Sequence, residues 1–142
     1  MPVQTANTTR RKIDGRRLGE AVLAVLQGEG CSAGSVEAVY CGSRMIRRIN
    51  REYLQHDYAT DTITFRYNEG DEVEGEFYIC LDVIEENARR FGATFDEELL
   101  RVTIHSALHL VGYDDGSPEE RAEMTRLEER YLELDRGVRK RS

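Results

Sequence analysis

Two histidines, His105 and His109, stand four residues apart in a segment patterned as a helix. At 3.6 residues per turn both imidazoles leave one face, a turn apart. That is the spacing of a two-histidine metal clamp. Gly112 follows, a residue free to turn the chain back through the left-handed region, and then come Asp114 and Asp115. Two nitrogens and one carboxylate oxygen, with no fourth protein ligand evident, describe a metal site with an open position, and open sites do chemistry. A histidine pair at this spacing also occurs on ordinary polar helix faces. Here the pair takes two of the chain's 3 histidines and has carboxylates within short reach. On spacing alone either aspartate can supply the oxygen, and Asp114 can instead bond backbone groups of the turn.

The residue types narrow the chemistry. In the zinc-peptidase motif His-Glu-x-x-His the glutamate is the general base, and this chain has Ser106 at that place. Two histidines and a carboxylate also match the facial triad of non-haem iron oxygenases, but those sit on β-barrels, which this helix-rich pattern does not resemble. Hydrolysis by a metal-activated water is the simplest chemistry left. No residue stands out as a general base.

The elements that must hold this block are legible from periodicity. Residues 14–27 read as a helix with the stripe Leu18, Val22 and Val25, ended by Gly28 and Gly30. Residues 36–41 read as a strand, and 43–54 as a helix with Ser43 at its N-cap. Strands are expected at 62–67 and 77–81, with an acidic loop between them, and a helix at about 83–91 facing Ile84, Ala88 and Phe91 inward. Thr94 and Glu97 form a capping box for the histidine helix, whose core stripe is Leu100, Ile104, Ala107 and Val111. Ser117 and Pro118 open the last helix, with Met124, Leu127, Tyr131 and Leu134 inward and a frayed tail from Arg136. The first dozen residues suit an edge strand or a loose arm. The sum is an α+β fold: a small mixed sheet of about four strands packed by helices.

The 142 residues suit a single domain over 1–142, with 39% apolar and 33% charged side chains. The polar start lacks the apolar stretch of a secretory signal, and no run is long enough to span a membrane. Cys31, Cys41 and Cys80 are scattered and odd in number, as expected of reduced thiols in a cytoplasmic protein. A net charge of −7 weighs against a large nucleic-acid footprint. Even so, Arg44, Arg47, Arg48 and Arg51 repeat at i, i+3, i+4 and i+7 along one helix. That stripe is a candidate phosphate-binding surface or a solvated face. His56 and Asp57 read as turn residues, and Asp61 as a cap or a support for the metal ligands.

The block His105-Ser106-Ala107-Leu108-His109-Leu110-Val111-Gly112-Tyr113-Asp114-Asp115 resembles the signature His-Gly-x-Leu-His-Leu-x-Gly-Tyr-Asp-His of the YbeY family of bacterial endoribonucleases. Ile49 to Leu54, Asp57, Thr60 to Phe65, Gly75 to Cys80, and Met124 to Glu128 are similar to further blocks of that family, in order, over about residues 35–132. The resemblance implies a single zinc ion held by His105, His109 and Asp115. It also implies cleavage of single-stranded ribosomal RNA, maturation of the 3′ end of small-subunit rRNA, ribosome quality control, and the ribosome as partner. Four positions depart from the family pattern: Asp115 replaces a histidine, Ser106 a glycine, Glu76 an aspartate, and Leu54 an arginine associated with RNA handling. The rival readings are a ribosome-assembly factor with a structural metal and a metal hydrolase acting on another substrate.

Overall fold

Four extended segments pair into one sheet. The computed structural model describes residues 2–56 and 60–141, so Asp57 lies outside the described residues. The strands are β1 (Val3–Asn7), β2 (Ser32–Cys41), β3 (Thr62–Arg66) and β4 (Glu72–Cys80), in the order β1-β2-β4-β3. β2 pairs in parallel with β1 and β4, while β3 closes one edge antiparallel to β4. The helices are α1 (Gly15–Gly28), α2 (Ser43–Leu54), α3 (Leu81–Phe91), α4 (Phe95–Leu110) and α5 (Pro118–Arg141). This is the α+β arrangement with a four-stranded mixed sheet that the sequence implies.

The main core lies on one face. There Val36, Ala38 and Tyr40 of β2 and Val73, Phe77 and Ile79 of β4 meet α1, α4 and α5. The opposite face carries α2, whose Ile46 and Ile49 pack on Cys41, Ile63 and Cys80.

α4 is the element that positions the site, and it is buried on nearly every side. Val102, Ile104, Ala107 and Leu108 are all at most 1% exposed. Its start is the capping box read from the sequence: Glu97 N donates to Thr94 Oγ1 at 3.1 Å, and Thr94 N donates to Glu97 Oε1 at 2.9 Å. Three side-chain contacts then seat it on the sheet. Tyr40 and Thr103 hydroxyls pair at 3.0 Å, Thr62 and Ser106 hydroxyls pair at 2.8 Å, and Arg66 Nη1 donates to Leu110 O at 2.7 Å. Burial pushes the Tyr40 hydroxyl's pKa up, so it stays protonated in this contact.

Gly75 lets the end of α4 come this close. A Cβ there would lie 2.5 Å from the Phe65 carbonyl oxygen and 2.9 Å from Leu110 Cδ2. Gly75→Ala is therefore expected to cost about 1–3 kcal/mol through overpacking. Thermal denaturation would show it as a melting point several degrees lower; an unchanged melting point would mean that the strand and helix separate freely.

Several boundaries differ from the sequence reading. β4 starts at Glu72, not at Phe77, because Val73 and Gly75 continue the inward alternation while Glu72 and Glu74 face solvent. The first residues settle as an edge strand, β1. α5 continues to Arg141 without fraying at Arg136, its last turns held by pairing of Arg139 with Glu20 and Asp135, and of Arg17 with Asp135. Ser43 is not the N-cap of α2. Gly42 is, and the Ser43 amide and hydroxyl both donate to Asp82 Oδ2 at 2.9 Å. Phe91, the last residue of α3, and Leu134 of α5 are 64% and 51% exposed and do not face the core as the sequence reading had them.

Candidate metal centre

The C-terminal end of α4 shapes the site. Gly112 takes φ +110, and backbone N–H groups of Gly112 and Tyr113 bond back to His109 O and Leu108 O. This reversal is open to glycine and strained for other residues. The returning loop is pinned from three sides. Tyr113 donates its hydroxyl to Glu29 Oε1 at 2.6 Å, Tyr131 donates to the other oxygen of Glu29, and Arg121 Nη1 reaches Asp115 O at 3.4 Å.

Asp115 is thereby brought over the imidazoles. Its Oδ2 lies 3.4 Å from His105 Nε2 and 3.4 Å from His109 Nε2, and the two Nε2 atoms are 3.1 Å apart. Metal–ligand distances near 2.0–2.1 Å place tetrahedral ligand atoms roughly 3.3–3.4 Å from one another. The triangle of 3.1, 3.4 and 3.4 Å is thus compact enough for all three atoms to ligate one metal ion. Asp114 is exposed and stands outside the cluster. His105, His109 and Asp115 line a groove of about 410 Å³ together with Leu54, Asp61, Thr64 and Arg66 among others.

His105 is held from behind. Its Nδ1 lies 2.6 Å from Glu128 Oε2, on α5. A carboxylate only accepts, so Nδ1 carries the hydrogen and Nε2 keeps its lone pair for a metal. Glu128 in turn accepts from Arg101 Nη1 at 3.1 Å, and Arg101 makes a two-pronged contact with Glu98 at 2.6 and 3.0 Å. Glu98 and Glu128 are buried, at 3% and 5% exposure, so the alternating order of charges is what makes their burial tolerable. The hydrogen bonds that Arg101 donates to Glu98, set against the cost of burial, hold the Arg101 pKa above its usual value. Burial pulls the His105 pKa down, but the hydrogen bond and charge of Glu128, with Asp115 and Asp61 nearby, raise it overall.

Glu98, Arg101 and Glu128 were not identified as site residues by the sequence. The first two share a stripe with His105 and His109 on α4, at 98, 101, 105 and 109, which was the available signal. The pairing with α5 is a tertiary contact that spacing cannot give. Ser106 does not approach substrate space. It is fully buried, donating to Val102 O at 2.8 Å and pairing with Thr62. Asp61 lines the groove while its Oδ1 accepts from Thr62 N at 2.9 Å, so it caps the start of β3. Arg44, Arg47, Arg48 and Arg51 are exposed on α2, and none lines the groove; that helix contributes Leu54 to it. His56 is exposed too.

The comparisons with known proteins agree with the geometry. A family model described as Endoribonuclease YbeY matches residues 4–134. A protein of Chlorobaculum parvum named Endoribonuclease YbeY is 66% identical over 138 residues, covering 97% of this chain and 98% of its own. One of the same name from Chlorobaculum tepidum is 64% identical over 132 residues, covering 93% and 96%. The solution structure of TM1509 from Thermotoga maritima superposes with a TM-score of 0.69 at 30% identity, over 97% of this chain and 91% of that one.

Proposed function

This chain belongs to the YbeY family of endoribonucleases, and from that premise we propose that it cuts single-stranded ribosomal RNA at a zinc ion held by His105, His109 and Asp115. Maturation of the small-subunit rRNA 3′ end and ribosome quality control, with the ribosome as partner and the cytoplasm as location, complete the proposal. RNA as substrate follows from membership itself. The single observation that carries the metal reading is the triangle of ligand atoms at tetrahedral spacing on the floor of an open groove. When bound, zinc supplies a Lewis acid for a phosphodiester oxygen and acidifies a water toward neutrality.

The chain's own residues do the rest. Glu128 fixes the His105 tautomer, and the Glu29–Tyr113 contact sets the loop that carries Asp115. Asp61 and Asp115 face Arg66 across the groove, a formal sum of −1. A divalent ion brings that sum to +1, so metal loading controls whether a phosphate can enter as well as what happens to it. The arginines at 44, 47, 48 and 51 are proposed to touch phosphates of the strand beyond the groove, along the helix that ends at its wall. No helix among the described residues is long and apolar enough to cross a membrane.

The test is cleavage of an RNA oligonucleotide, single-stranded or annealed to its complement, by protein stripped of metal and then resupplied with Zn²⁺. Cutting of the single strand alone, and only after Zn²⁺ is returned, is expected. Metal-dependent binding with no cleavage would assign an assembly role instead, and neither binding nor cleavage would overturn the reading.

A further inference from the structure

Among the described residues lining the groove beside His105 and His109, Arg66 is the one arginine or lysine. The alternation of β3 sends Thr62, Thr64 and Arg66 toward α4, while Ile63 and Phe65 face α2. The guanidinium is fixed by three hydrogen bonds. Nε donates to Asn68 Oδ1 at 2.9 Å, Nη1 to Leu110 O at 2.7 Å and Nη2 to Gly70 O at 2.6 Å. Every one of these acceptors is uncharged, and among the described residues Arg66 has no carboxylate partner.

This distinguishes Arg66 from Arg101 and Arg17, which are matched to Glu98 and Asp135. Three of its five N–H groups are used, which leaves two. Leu110 directly follows His109, so the held guanidinium sits one residue beyond a candidate ligand. A rigid, half-buried cation with spare donors and no counter-ion, next to a metal position, is the equipment for an oxyanion.

We propose that Arg66 is the phosphate-binding residue of the groove, donating to a nonbridging oxygen of the RNA strand beside the metal. The proposal rests on the endoribonuclease reading above and names the residue that seats its substrate. The competing role is a brace: a cation at the C-terminal end of α4 also stabilises that helix through its dipole. The two roles predict different measurements.

Zinc-loaded protein is titrated with a fluorescent single-stranded phosphorothioate RNA 12-mer across a salt series, with RNA integrity checked on a gel. For Arg66→Gln the expected result is binding weakened by roughly 10-fold, the loss of a charge-assisted pair of hydrogen bonds. The plot of log affinity against log salt should also flatten by about 0.7, one phosphate contact on a single strand. Arg66→Lys should keep the slope and recover part of the affinity. Adding Leu54→Arg to Arg66→Gln returns a cation to the same groove and should restore the slope whatever the melting point does. A lower melting point or weaker zinc binding in Arg66→Gln with the slope unchanged would make Arg66 a brace and overturn the proposal. Wild-type protein that neither binds nor cuts RNA would take the functional reading down with it. Wild-type binding whose slope Arg66→Gln leaves intact would remove this proposal alone.

Discussion

Replacing His109 with alanine is expected to abolish RNA cleavage and to weaken zinc binding well beyond the roughly 10–100-fold seen when only a partner behind a ligand is lost. The three ligand atoms leave no substitute. With Nε2 of His109 gone, the remaining pair is His105 Nε2 and Asp115 Oδ2, 3.4 Å apart, and two donors do not hold a zinc ion against water and buffer. Metal entry also reverses the sign of charge in the groove, so the loss is felt twice, in substrate binding and in the reaction. The fold should survive. His109 is half-buried at the rim of α4, its Nε2 meets His105 and Asp115 of the site, and alanine is the best helix former. A melting point within a few degrees of wild type, with zinc binding lost by calorimetry and cleavage lost on a gel, is the expected set. Cleavage that persists in this variant would trace to a contaminating nuclease or to a metal bound elsewhere. Zinc bound as tightly as before would sink the ligand assignment.

The local half of this site was legible because its determinants are local. The capping box at Thr94, the i, i+4 histidines and the Gly112 reversal are set by a helical period and a φ sign, and both can be read from a dozen residues. The choice between Asp114 and Asp115 cannot be made that way. It depends on how far the loop is pulled by Tyr113 and Glu29, residues 84 apart in sequence; the family signature pointed to Asp115, and the geometry puts its carboxylate at the imidazoles. Long-range partners were out of reach for the same reason. The helical period places Glu128, four after Met124 and three before Tyr131, on the inward face of α5, unlike the exposed Glu129 and Glu133, but which groups it meets there is set by the docking of α5 against α4. Arg66 was hidden by alternation: in a strand read for its apolar face, the polar face appears to be solvent until a helix end covers it. The early start of β4 was obscured by Gly75, which has no side chain to mark the inward row, and by the glutamates between.

Glu128→Gln is the second large effect, and it separates orientation from proton competition. Zinc binds neutral imidazole, so protons compete with the ion for His105. In the wild-type protein burial lowers the His105 pKa, but the hydrogen bond and charge of Glu128 raise it further, with Asp115 and Asp61 adding to the rise. Zinc affinity must therefore fall as pH drops through that raised value, at a higher pH than for an ordinary histidine. Glutamine keeps the shape and can still accept from Nδ1–H through its carbonyl, but it removes the negative charge. The proton-competition step should then move to lower pH, a gain for zinc in mildly acidic buffer. Against this, a neutral amide makes the imidazole a poorer donor to the metal and leaves half-buried Arg101 with one carboxylate, Glu98, in place of two. At a pH high enough for His105 to be neutral in both proteins, only the second effect remains, and affinity should drop roughly 10–100-fold. Zinc titrations of both proteins across pH should thus give curves that converge as pH falls. Parallel curves would mean that Glu128 does not govern the His105 proton, and unchanged affinity at the alkaline end, where the ring is neutral, would mean that it does not orient the ring.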